Sequence, residues 1–112
     1  MSHRIAVVDD DARFRRVVRL LLTRRGYTVV GEAGDIAAAL ALVDAIHPQS
    51  LLADWHLPDG DAPLLLACLA ERTDPPRILL TSSDAQAGAG LATAVPFVPK
   101  ERLADVDLAR FL

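Results

Sequence analysis

Residues Leu51 to Pro63 read LLADWHLPDGDAP. An apolar run, Leu51, Leu52 and Ala53, reaches the carboxylate of Asp54 and then breaks into proline, glycine and further acid. With Ser50 in front, the run is too short for a helix and is bounded by turn residues, so SLLAD reads as a buried strand. A charge at the tip of such a strand is costly unless the tip is a site. The loop that follows can continue neither strand nor helix, which leaves Asp54 at the end of the strand.

Outward from this strand the apolar pattern alternates between two periods. RIAVV, Arg4 to Val8, is a short β-branched strand. From Ala12 to Arg25, Phe14, Val17, Val18, Leu21 and Leu22 recur at spacings of three and four, and Gly26 closes an amphipathic helix. YTVVGEA is the second strand. Asp35 offers an N-cap to a helix whose stripe, Ile36, Leu40, Val43 and Ile46, ends before Pro48. SLLAD is the third strand, Leu64 to Arg72 the third helix, stopped by TDPP, and RILLT, Arg77 to Thr81, the fourth strand. Asp84 to Thr93 holds one large apolar residue and two glycines, each costing about 1 kcal/mol against alanine, and predicts a weak, frayed fourth helix. VPFVP, Val95 to Pro99, is the fifth strand and Leu103 to Leu112 a short last helix.

Five strands alternating with helices predict an α/β fold with a parallel sheet covered on both faces. Right-handed crossovers make it doubly wound, in the order 2-1-3-4-5. Pro96 and Pro99 place the fifth strand at an edge, where a missing N–H is tolerated.

The chain has 112 residues, enough for one domain spanning 1–112, with 52% hydrophobic and 24% charged residues to build and solvate a core. A net charge of −3 and a pI near 5.5 argue against direct nucleic-acid binding. The arginines of the first helix (Arg13, Arg15, Arg16, Arg19, Arg24 and Arg25) lie near aspartates and read as a solvated face. Cys68 is the only cysteine, a small core residue suited to a reducing compartment. No apolar run approaches the roughly 20 residues of a membrane span, and no N-terminal signal is visible. The expectation is a soluble, cytoplasmic protein without repeats.

In such a sheet ligands bind at the carboxyl ends of the strands, where the order reverses between the first and third. Asp9, Asp10 and Asp11 follow the first strand, Asp54 ends the third, Thr81 ends the fourth and Lys100 follows the fifth. Carboxylates converging in a partly desolvated cleft repel one another, and a divalent cation relieves that repulsion. Hard oxygen ligands with open positions suit Mg²⁺ beside a phosphate. One carboxylate can then attack phosphorus, with Thr81 donating to one phosphoryl oxygen and Lys100 pairing with another. The pocket reads as an aspartyl-phosphate site.

VVDDD (Val7 to Asp11), LLADWHLPDG (Leu51 to Gly60), ILLTSSD (Ile78 to Asp84) and FVPK (Phe97 to Lys100) together resemble the response-regulator receiver domain, the phosphoacceptor half of two-component signalling. Each motif alone is weak; four in order at the expected strand ends are specific. The resemblance runs from about residue 3 to the C-terminus and implies a flavodoxin-like (βα)5 fold. It implies that Asp54 accepts a phosphoryl group from a histidine kinase or phosphotransfer protein. Mg²⁺ would be bound by Asp9, Asp10, Asp54 and the backbone carbonyl of His56. Thr81 and Lys100 match the hydroxyl and lysine that meet the phosphoryl group, and Thr81 and Phe97 match the switch pair. A phosphoacceptor switch is implied instead of a turnover enzyme, with self-phosphorylation from small phosphodonors and self-dephosphorylation as its chemistry. The implied partners are the kinase and a downstream protein, with a homodimer compatible and no membrane involved.

Other residues have simpler expected roles. Asp11 caps the first helix, and Asp59 and Asp61 serve the turn and the start of the third. The His56 side chain is exposed, far from His3 and His47, so zinc is not indicated. Trp55 is a packing or loop residue. Three features depart from the family: a short stretch between Thr81 and Lys100, with a short last helix; Pro99 before Lys100 and Glu101 after it, where proline usually follows; and Ala62 where glycine is usual, with Gly60 earlier. Alternatives are a pseudo-receiver signalling without phosphate, or the N-terminal receiver of a longer DNA-binding regulator. A Mg²⁺-dependent phosphatase would lack a second acid, since His56 stands two residues after Asp54. A flavin site would have its phosphate repelled by three aspartates.

Overall fold

The structure, a computed structural model, describes residues 3–84 and 95–112. It begins with β1 (Arg4–Val8), whose alternating side chains divide the core in two. Ile5 and Val7 enter one cluster, Ala6 and Val8 the other. α1 (Ala12–Arg24) sends Val18 and Leu22 into the first cluster. β2 (Thr28–Ala33) follows, and then α2 (Ile36–Ile46), which sends Ile36, Ala39 and Val43 into the second. β3 (Ser50–Asp54) is buried throughout. After it come two two-residue strands, β4 (His56–Leu57) and β5 (Gly60–Asp61), paired antiparallel as a small hairpin. α3 (Ala62–Ala70) packs Leu65 and Leu69 into the second cluster, and β6 (Arg77–Ser82) and β7 (Phe97–Pro99) complete the main sheet.

All pairings in that sheet are parallel, in the order β2-β1-β3-β6-β7. With the hairpin strands set aside, this is the predicted 2-1-3-4-5, with the proline-bearing strand at the edge. β7 covers three residues instead of five, joined to β6 by Leu80 N–H donating to Pro96 O at 3.0 Å.

Among the described residues there are three α-helices. The predicted fourth, over Asp84 to Thr93, lies outside the described residues from position 85 onward. α3 begins two residues before the expected Leu64, because Pro63 fits the first turn of a helix, where its missing N–H has no partner to lose. The short last helix expected over Leu103 to Leu112 is replaced by a single 3-10 turn, Leu108–Arg110, with another, Lys100–Arg102, just ahead of it. Two polar competitors explain this. Asp107 accepts from Ala109 N–H and starts the second turn, while the Arg25 guanidinium takes the carbonyls of Ala104 and Val106. The segment still delivers Leu103, Leu108 and Leu112 to the cluster beneath α1.

Candidate functional site

Asp9 follows β1 directly and is fully buried, held by two neighbours. Its Oδ1 accepts from Asp11 N–H at 2.8 Å, and its carbonyl accepts from the Arg15 guanidinium. Arg15 is itself fixed by Glu32 of β2 at 3.0 Å, with Arg19 on the same carboxylate at 2.7 Å. Asp11 caps α1 as expected, accepting from Arg13 N–H and Phe14 N–H. Asp10 is exposed.

Asp54 closes β3, 8% exposed, in register with Thr81 on β6. Residues in register on neighbouring strands project to the same side of a sheet, so Thr81 accompanies Asp54. The next residue, Trp55, ties the two strand ends together, its N–H donating to Thr81 O at 2.8 Å. Carboxylate oxygens of Asp9, Asp10 and Asp54 lie within 4.8 Å of one another, a group that could hold a metal ion. Lys100, just after β7, reaches in from the far side, with Nζ 2.6 Å from Asp9 Oδ2 and 3.8 Å from Asp54 Oδ2.

Burial, and then the charge of Asp9, push the Asp54 carboxyl up to about 6, against the pull of Lys100 and of the Trp55 N–H. Two buried polar atoms beside it, Asp9 Oδ2 and Thr81 Oγ1, have no hydrogen-bond partner. Lys100 meets Asp9 Oδ2 as a close charge without hydrogen-bond alignment. Buried polar atoms are seldom left so. A hard cation and a group with acceptor oxygens would satisfy both, and a set of carboxylate oxygens fits Mg²⁺.

Phe97 of β7 is half-buried, its ring edge-on to Trp55 with centroids 6.3 Å apart. The His56 side chain is exposed, as expected, and meets Asp61 at 3.1 Å through Nδ1. Asp61 occupies the N-cap position of α3 without a side-chain bond to its backbone. Asp59 does not serve α3. Its carboxylate accepts from Ile36 N–H at 2.8 Å and Ala37 N–H at 3.0 Å, capping α2, and these bonds hold it below the usual carboxylate range. No local signal could reveal a cap from 22 residues away in sequence. Phe14 was equally hidden: its spacing marks it as core, yet its ring lies 4.1 Å from Lys100 Nζ. A cavity of about 520 Å³ lined by Arg77, Ile78, Val95, Pro96, Arg110 and Phe111 shares no residue with the acidic group.

The chain matches the response regulator receiver domain over residues 5–103. It is 41% identical over 81 residues to the "probable transcriptional regulatory protein NarL" of Mycobacterium tuberculosis, across 71% of this chain and 38% of that protein. It is 38% identical over 112 residues to the DNA-binding transcriptional activator DevR/DosR of the same organism, across 96% of this chain and 51% of that protein. The chain therefore spans about half or less of the length of these curated relatives. The solved signal receiver domain of NarL from M. tuberculosis superposes with a TM-score of 0.75 at 33% identity, covering 98% of this chain and 90% of the other. No helix among the described residues is long and apolar enough to cross a membrane.

Proposed function

Because the chain belongs to the response regulator receiver domain family, we propose that it is a phosphorylation-controlled switch with Asp54 as its phosphoacceptor. The observation that carries this reading is a pair of buried atoms without a hydrogen bond, Thr81 Oγ1 and the Asp9 Oδ2 that faces Lys100, flanking a carboxyl pushed up to about 6. Asp9, Asp10, Asp54 and the backbone carbonyl of His56 would hold Mg²⁺, which supplies positive charge against the oxygens of an incoming phosphoryl group.

At pH 7 Asp54 is mostly ionised, and one of its oxygens attacks phosphorus as the bond to the donor's leaving group breaks with its electron pair. The Thr81 hydroxyl donates to one phosphoryl oxygen and the Lys100 ammonium pairs with a second. Thr81 pairs with Val98, next to Phe97, so a shift at Thr81 is felt at the ring that rests on Trp55. Moving a two-state switch from 1:99 to 99:1 takes about 5.5 kcal/mol. A hydrogen bond to a charged group contributes roughly 1.5–3 kcal/mol, so two or three new contacts suffice.

The proposed donor is a histidine kinase or phosphotransfer protein in the cytoplasm, and the output is a downstream protein surface or a second copy. The chain needs no turnover chemistry beyond self-phosphorylation from small donors and self-dephosphorylation. A second reading concerns output alone, with this chain as the receiver of a longer DNA-binding regulator. The similarity to DevR/DosR, of which the chain spans 51%, favours it.

Incubation with Mg²⁺ and acetyl phosphate is expected to add one phosphoryl group by intact mass, and Asp54→Asn to add none. A wild-type chain that takes up no label overturns the switch and leaves a pseudo-receiver binding module.

A further inference from the structure

The ammonium of Lys100 is held from three sides: Asp9 Oδ2 at 2.6 Å, Asp54 Oδ2 at 3.8 Å and the face of Phe14 at 4.1 Å from the ring centroid. The nearest of the three is also the one that changes. A cation bound by Asp9 draws on the same carboxylate, and phosphorylation then consumes an oxygen of Asp54. Both charged partners are thus engaged elsewhere when Lys100 is needed at the phosphoryl group. A lysine stem is flexible and its ammonium strongly hydrated, so loss of those partners favours escape into water. The ring of Phe14 binds no metal and carries no proton to lose, and an aromatic face attracts a cation through its quadrupole. Its place on α1 brings it there, since helical side chains lean toward the helix N-terminus, and that end follows Asp9 and Asp10.

We infer that Phe14 is a positioning residue whose ring keeps the Lys100 ammonium at the mouth of the site when Asp9 no longer does. The inference rests on the reading of Asp54 as phosphoacceptor and of Lys100 as the partner of its phosphoryl group.

The test uses the full chain and begins without phosphate. The expected result is that the Lys100 side-chain methylene resonances are shifted upfield by the ring in wild type and stay shifted when Mg²⁺ is added. In Phe14→Leu the shift is lost, and Mg²⁺ moves the resonances to those of a solvated lysine; Phe14→Tyr keeps the wild-type pattern. With Mg²⁺ and acetyl phosphate, Phe14→Leu labels roughly 3- to 30-fold more slowly, the range a cation–π contact spans, and Phe14→Tyr restores the rate. If Mg²⁺ releases wild-type Lys100 from the ring, or if folded Phe14→Leu labels at the wild-type rate, the inference fails. The wild-type Mg²⁺ spectrum needs no variant, so a leucine variant that does not fold leaves the test intact. A wild type that never labels refutes the phosphoacceptor instead, whatever the spectra show.

Discussion

Asp54 carries opposing demands in a single carboxyl. It must be ionised to attack phosphorus, yet burial and the charge of Asp9 raise it to about 6. In an unfolded chain an aspartate titrates near 3.9. Between about 3.9 and 6 the native protein therefore holds more protons than the unfolded one, so stability falls as pH rises through that window. Above 6 the deficit is complete, on the order of 2–3 kcal/mol. Urea unfolding of the metal-free protein is expected to show a lower midpoint at pH 7.5 than at pH 5, with Asp54→Asn flattening the difference and exceeding wild type at pH 7.5. An equal fall in the asparagine variant would assign the effect to other groups. The acids, the threonine and the lysine were legible in the sequence because each ends or follows a strand. Phe14 was not, since an aromatic on an apolar stripe looks the same whether it packs on leucine or beneath an ammonium.

Between elements, the hairpin of β4 and β5 shows what local pattern reading loses. The strands and helix stripes were legible because their periods persist over several residues, whereas a strand of two residues has no period. The glycine that shapes the hairpin was visible, but its reason was not. Gly60 has φ of 153°, and a Cβ there would lie 2.6 Å from Leu64 Cδ2 and 2.9 Å from Ile36 Cδ1. Ala62, two residues on, is fully buried, and the turn's need for glycine is met at position 60. Gly60→Ala is expected to cost about 1–3 kcal/mol through backbone strain and overpacking. Chemical denaturation of the variant measures it, and a change within about 0.5 kcal/mol, the level of ordinary surface substitutions, would show that the turn relaxes freely.

For the whole molecule, the sheet order was legible from alternation and handedness alone. The C-terminal covering was only half legible: its leucines were identifiable as core, but the helix expected to carry them gives way to 3-10 turns under the competition of Asp107 and Arg25. The leucines matter more than the helix. Leu108 is 1% exposed and belongs to the cluster with Val18, Leu22 and Val98, so Leu108→Ala is expected to cost about 2–4 kcal/mol despite lying in a turn. A thermal or urea midpoint checks this, and a loss below about 1 kcal/mol would mean that the tail is ornamental. The proline-bearing strand has a different consequence. β7 offers three residues, and neither Pro96 nor Pro99 brings an N–H donor, so a foreign strand finds little there on which to template. The opposite border, β2, is twice as long, and of the two edges of the main sheet it is the one that favours fibril-like growth.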